Sequence, residues 1–271
     1  MTYNYAMNHV EQFYDQQSEY EWHRLERHRT EYAVTLRTLL AHLSPAPLEI
    51  IDIGGGPGRY AIALSQRGDR VTLVDLAQAN LDLAAQKASA AGVRLNASLH
   101  RDARQLYDLP GDHYDAALLL GPLYHLLDLQ ERRQAIGEAL RVLKPGGLLF
   151  AAFISRFAFF RDAAKKYPEE IYANPRYAGQ LLATGMHDGE SGFTRAYFAH
   201  PAEIVPLMET TGLQTIELVG CEGIVAALEE KVNELSGADW ETWVDFNYRI
   251  GHDPAALGAA DHLLYIGRKV A

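Results

Sequence analysis

Between residues 48 and 154 the sequence alternates continuous apolar runs with amphipathic stretches, and this rhythm constrains the fold more than any other feature. The runs at 48–53, 70–75, 94–100, 114–120 and 148–154 have strand length, and helical patterns separate most of them at 59–67, 77–91 and 130–143. Strands that are apolar on both faces need cover on both faces, which parallel strands with crossover helices provide. The expected fold class is therefore α/β, a doubly wound, Rossmann-like open sheet.

The rhythm breaks after Ser155. Residues 156–197 are aromatic and interrupted by Pro168, Pro175, Gly179, Gly185, Gly189 and Gly192, as expected of a cap of short helices. A helix at 201–211 and a strand at 213–219 resume the core, a second insertion with Trp240 and Trp243 follows at 224–250, and the last strand falls at 262–269. Ahead of the core, Tyr3, Tyr5, Phe13, Tyr14 and Tyr20 stand among polar residues. A helical stripe then runs from Trp22 through Leu25, Tyr32 and Leu36 to Leu43, ending before Pro45 and Pro47. The expected division is an N-terminal lid and helix at 1–43, a core at 44–155 and 198–271, a cap insertion at 156–197, and a second insertion at 224–250 within the core.

Composition narrows the partners. Asp and Glu number 35 against 25 Lys and Arg, a net charge of −10 that repels phosphate backbones and leaves no basic footprint for nucleic acid. No run approaches the ~20 apolar residues of a membrane span. The single Cys221 excludes an internal disulfide and cysteine-based zinc sites, and the histidines show no metal-ligand spacing, so no metal is expected. The expected setting is the cytoplasm, with a small-molecule partner; the oligomeric state is left open.

The stretch Asp52-Ile-Gly-Gly-Gly-Pro-Gly58 joins a strand to a helix. Gly54, Gly56 and Gly58 permit positive φ and let a ligand approach the backbone, beside the free N–H groups of a helix start. A dinucleotide fingerprint counted from Gly54 would require a small residue where Arg59 stands. An acid ahead of the glycines repels pyrophosphate but suits an ammonium or sulfonium. Asp75, ending the second strand, can accept two ribose hydroxyls, and Asp102, after the third, can accept from an adenine amino group. One such Asp alone reads as a turn or cap residue; three at successive strand ends lie where ligands of such sheets bind.

With Asp52 to Gly58, Asp75, Asp102-Ala103, the segment 114–125 around the fourth strand and Arg141-Val-Leu-Lys-Pro-Gly-Gly147 before the fifth, the chain resembles the class I S-adenosylmethionine-dependent methyltransferases, in their small-molecule or quinone-type branch. The resemblance covers about residues 20–155 and 200–269. It implies a seven-stranded sheet with the last strand antiparallel, S-adenosyl-L-methionine as cofactor, and a cofactor wall that includes Leu76, Ala103 and Leu120. It also implies an N-terminal helix closing over the cofactor, with Tyr14 and Tyr20 as lid residues; the alternative is an aromatic stripe packed on the sheet.

The resemblance puts a His at the place of His125 in quinone-type O-methyltransferases, so His125 is the first candidate for a general base, against a role as helix cap. Tyr124 beside it orients substrate or forms a wall. Gly121 removes the polar acceptor that amino-methylating nucleic-acid enzymes need in this box. In the cap, His187, Arg195, Tyr197 and His200 are candidate substrate contacts, although His200-Pro201 also reads as a helix start. The activity implied is methyl transfer to a small organic acceptor through O, N, S or C. The alternatives are another enzyme class using the bound sulfonium, such as a lyase or rearrangement catalyst, and a non-catalytic binding module.

Overall fold

The computed structural model describes residues 2–187, 189 and 194–270, with backbone alone for 2–9 and 227. Residues 188 and 190–193 of the expected cap lie outside the described residues. Two helices, α1 (Thr2–Arg27) and α2 (Arg29–His42), precede the core. The core begins with β1 (Glu49–Ile53), α3 (Arg59–Arg67), β2 (Arg70–Asp75), α4 (Gln78–Ala90), β3 (Ala97–His100) and β4 (Tyr114–Leu119). It continues through α5 (Pro122–His125), α6 (Leu129–Val142) and β5 (Leu143–Ile154). The cap carries α7 (Ala158–Lys166), α8 (Glu169–Ala173), α9 (Pro175–Thr184) and a short antiparallel pair, β6 (Met186–His187) and β7 (Ala196–Tyr197). The chain closes with α10 (Pro201–Glu209), β8 (Leu213–Gly220), α11 (Glu229–Asn233), α12 (Gly237–Gly251) and β9 (His262–Lys269).

The sheet has seven strands in the order β3-β2-β1-β4-β5-β9-β8, with β9 antiparallel to both neighbours. The central strands are the continuous apolar runs of the sequence: Ile50, Ile51, Val71, Leu73, Val74, Leu118, Leu149 and Phe150 are all buried, because helices cover both faces. The strand order reverses between β1 and β4, and the cleft outside their carboxyl ends is where such sheets take ligands.

One feature differs from the sequence expectation. Helix begins at residue 2, well before the apolar stripe. The early part of α1 is held by docking on α4: the Asp15 carboxylate accepts from the Ala79 N–H at 3.1 Å, serving a helix start whose own N-cap residue, Ala77, offers no side-chain acceptor. Further along, the Arg59 guanidinium stacks on Trp22 and pairs with Glu26 at 3.3 Å, tying α1 to the helix behind the glycine loop. The second insertion packs α12 against α2 and the end of β8, with Trp240 under Arg29 at 4.0 Å, and none of its described residues lines the cleft described next.

Candidate functional site

A cavity of about 1000 Å³, its open mouth included, lies at the ends of β1, β2 and β4, roofed by one face of α1. Its floor is the glycine loop. Gly54 and Gly56 have φ of +67° and +56°; a Cβ on Gly56 would meet nothing closer than 3.9 Å, so the backbone there borders open space. Gly58 does not line the cavity. It turns the chain into α3 with φ +81° and packs against Ala84 of α4.

Three carboxylates border this space. Asp52 is fully buried and neither oxygen has a side-chain partner; burial, and then the charge of Asp75, pushes its pKa up to about 7, against the Ala61 N–H, which lowers it. Asp75 accepts from the N–H groups of Gly56 at 2.8 Å and Ala77 at 2.9 Å and from the Asn80 amide at 3.1 Å, bonds that offset a pKa raised by burial. Asp102 is gripped by Arg104, whose Nη2 lies 2.5 Å from it and whose Nη1 reaches Glu131 at 2.7 Å. Leu76, Ala103 and Leu120 line the walls between these acids.

The roof contains residues that apolar periodicity does not detect. Tyr14, Glu21 and Arg24 all face the cavity from α1, with Val10 and Leu25 on the same face. Spacings of seven and three place them on one helical face, but the face is polar, so it leaves no hydrophobic signal. Tyr20, six residues from Tyr14, turns to solvent, 61% exposed, and lies beneath the Arg27 guanidinium; it is not a lid residue over this cavity.

His125 ends α5 and Tyr124 precedes it, both half-buried against the cavity. His125 is not a helix cap, since Asp128 caps α6 by accepting from the Gln130 N–H at 2.6 Å. Its Nε2 lies 2.8 Å from the Tyr14 hydroxyl, and the Arg195 main chain bonds the ring as an acceptor. In the tautomer that carries its proton on Nδ1, Nε2 accepts the Tyr14 O–H. Burial lowers the His125 pKa to about 4 and raises that of Tyr14, so both are neutral at pH 7.

The cap candidates stand apart from the cavity. His187 is buried, stacked on Phe198 and hydrogen-bonded to Tyr177. His200 caps α10, accepting from Ala202 N–H at 3.2 Å, with Glu203 completing a capping box. The Tyr197 hydroxyl donates to Glu203 at 2.7 Å, and Arg195 has an exposed side chain while its main chain reaches His125. The polar residues of the cap thus satisfy one another or the backbone rather than line the described space.

The residues present fit S-adenosyl-L-methionine. The buried Asp52 carboxylate, with no side-chain partner, suits an ammonium, the Arg24 guanidinium suits a carboxylate, and the acid at the end of β2 suits ribose hydroxyls. A sheet of this order with such a cavity at its switch point is the arrangement of the class I S-adenosylmethionine-dependent methyltransferases, which the chain resembles. A methyltransferase-domain family profile matches residues 50–147. Ubiquinone biosynthesis O-methyltransferase of Methylobacterium nodulans is 30% identical over 179 residues, and the match spans 65% of this chain and 65% of the relative's length. The tRNA 5-carboxymethoxyuridine methyltransferase of Escherichia coli K12 is 34% identical over 119 residues, 44% of each chain. Among solved structures, magnesium protoporphyrin IX methyltransferase of Synechocystis shares the fold at a TM-score of 0.60 and 15% identity, covering 97% of both chains.

Proposed function

We propose that this chain transfers a methyl group from S-adenosyl-L-methionine to the hydroxyl of a small organic acceptor. The observation that carries the reading is the buried Asp52 carboxylate, without a side-chain partner on either oxygen, at the floor of a cavity whose roof supplies Arg24. Opposite charges so placed match a ligand with ammonium and carboxylate on one carbon, and three acids around the floor oppose a pyrophosphate. The O-methyltransferase relative supports an oxygen acceptor. The net charge of −10 favours a small molecule over RNA, despite the tRNA-modifying relative. No helix among the described residues is long and apolar enough to cross a membrane; with the buried Cys221 this supports a cytoplasmic setting.

When bound, the cofactor supplies a methyl group made electrophilic by its sulfonium. The protein's part is to hold the acceptor in line, exclude water and take its proton. Leu120, Tyr124 and the α1 roof form the dry wall. Because Tyr14 already donates to His125, the acceptor's proton passes to the Tyr14 oxygen while the Tyr14 proton passes to Nε2, and no tyrosinate forms. The cap of residues 156–197 stands on the acceptor side, and α1 is the lid.

Calorimetry with S-adenosylhomocysteine and with NAD tests the reading. The first should bind and the second should not. Asp75→Ala should weaken binding by about 1–3 kcal/mol if it strands two ribose hydroxyls. Raising the pH from 6 to 8 should tighten binding, since Asp52 must lose its proton to face an ammonium and its folded pKa lies at about 7. NAD binding, or affinity unchanged in Asp75→Ala, would remove the assignment.

A further inference from the structure

Arg24 does not stand alone in the cavity roof. Its Nη1 and Nη2 donate to the two oxygens of Glu31 at 2.6 and 3.0 Å, and its Nε donates to Glu21 at 2.9 Å. Those bonds use three of the five N–H groups, leaving two on the Nη atoms to turn toward a ligand. Glu31, on α2 and only 6% exposed, lies 3.5 Å from His262 Nδ1 at the start of β9. The same ring nitrogen bonds the Glu222 carboxylate, whose other oxygen accepts from the His262 N–H at 2.8 Å. Glu222, just beyond β8, is 1% exposed. Arg24, Glu31, His262 and Glu222 thus alternate in charge across α1, α2, β9 and the end of β8.

Glu31, Glu222 and His262 are also the grouping, among the described residues, with a geometry that could hold a metal ion. Arg24 occupies both Glu31 oxygens, and the two carboxylates keep His262 protonated. Burial alone would lower the His262 pKa, but Glu31 and Glu222 raise it to about 9; burial would raise that of Glu31, but Arg24 and His262 bring it down to about 2. The three residues serve Arg24 rather than a cation.

We propose that Glu31, His262 and Glu222 are positioning residues that hold Arg24 toward the carboxylate of the cofactor, so that cofactor affinity depends on residues of α2, β9 and the end of β8 that do not line the cavity. The inference rests on the reading of the cavity given above. Its physical basis is that a guanidinium on a long side chain has many rotamers, and a bidentate carboxylate selects one. A carboxylate free to rotate would not; His262 fixes it, and Glu222 keeps His262 charged. The groups facing His262 are Glu31 from α2, Glu222 from the β8 end, Arg24 from α1, and its neighbour Asp261, which is paired with Arg161 of α7. His28 also stands beside Glu31, its ring hydrogen-bonded to Glu229 at 2.8 Å.

The test is calorimetric titration of the full chain with S-adenosylhomocysteine, for the wild type, Arg24→Gln, Glu222→Gln, His262→Gln and the double variant Arg24→Gln/Glu222→Gln. Arg24→Gln should raise the dissociation constant about tenfold or more, and Glu222→Gln about fivefold or more, within the usual range for coupled sites. The double variant should bind no worse than Arg24→Gln, because both changes remove one device. In the wild type, affinity should fall between pH 8 and 10 more steeply than in Arg24→Gln, as His262 loses its proton. This comparison stands even if the Glu222 variant fails to fold. Wild-type affinity in folded Glu222→Gln and His262→Gln, with only the melting temperature lowered, would overturn the proposal, as would additive losses in the double variant. A wild type that binds no S-adenosylhomocysteine would overturn the reading of the cavity and the proposal with it.

Discussion

His125→Ala should lower turnover by about 10²–10⁴-fold while leaving S-adenosylhomocysteine affinity nearly unchanged, since in the proposed relay His125 is the final proton acceptor and no cofactor group requires it. Tyr14→Phe should lose almost as much. The Tyr14 hydroxyl lies 2.8 Å from Nε2 and lines the cavity, so a proton moving from the acceptor to that nitrogen passes through it. A full effect in His125→Ala with a small one in Tyr14→Phe would sink the relay and leave direct abstraction. The pH–rate profile distinguishes the buried pair from an exposed His: the His125 contribution should be flat from about pH 5 to 8, with its acid limb near 4 rather than 6.5. Stability follows the same shift. Between pH 6.5 and 4 the unfolded chain binds a proton that folded His125 refuses, so stability is full above 6.5 and declines as pH falls through 4. The difference in melting temperature between wild type and His125→Ala, scanned over that window, isolates this group from Asp52, whose raised pKa acts in the opposite direction.

The core was legible because parallel strands advertise themselves: runs apolar on both faces, separated by helices, allow few arrangements. Helix α3 falls at 59–67 as its pattern indicates, since Gly58 and Gly68 bracket it with positive φ at both ends. Asp52, Asp75 and Asp102 could be placed because each ends or follows a strand. What stayed hidden depends on contacts distant in sequence. Arg24 and Glu21 read as ordinary surface charges on α1 until α2 and β9 supply Glu31 and His262. Arg59, noted for breaking a fingerprint, proves to stack on Trp22. Among the described residues of the cap, polar groups in the aromatic stretch pair with neighbours: His187 stacks on Phe198, and the Arg156 guanidinium pairs with Glu203 at 2.6 Å. A polar residue among aromatics has two explanations, and sequence alone does not say whether its partner is a ligand or a neighbour.

Gly54→Ala should abolish cofactor binding and destabilise the chain by about 2–5 kcal/mol, a large part of the usual margin. Two costs add. Gly54 sits at φ +67°, where a side chain costs about 1–2 kcal/mol. A Cβ there would also lie 2.4 Å from Cγ of Pro122, and relieving such overpacking costs about 1–3 kcal/mol. Neither side yields easily. The Gly54 N–H is tied to the Val74 carbonyl at 2.7 Å, and across the gap a Cβ on Gly121 would meet the Gly54 carbonyl oxygen at 2.9 Å. Pro122 is the first residue of α5, so the displacement should reach His125 three residues on. Gly92→Ala is the control. Gly92 has nearly the same φ, +70°, but nothing within 4 Å of the added carbon, so it should show the backbone cost alone with unaltered binding. Thermal melts with S-adenosylhomocysteine titrations of both variants separate the two costs. Equal destabilisation with intact binding in both would mean that the close approach of the glycine loop to α5 has no part in forming the site.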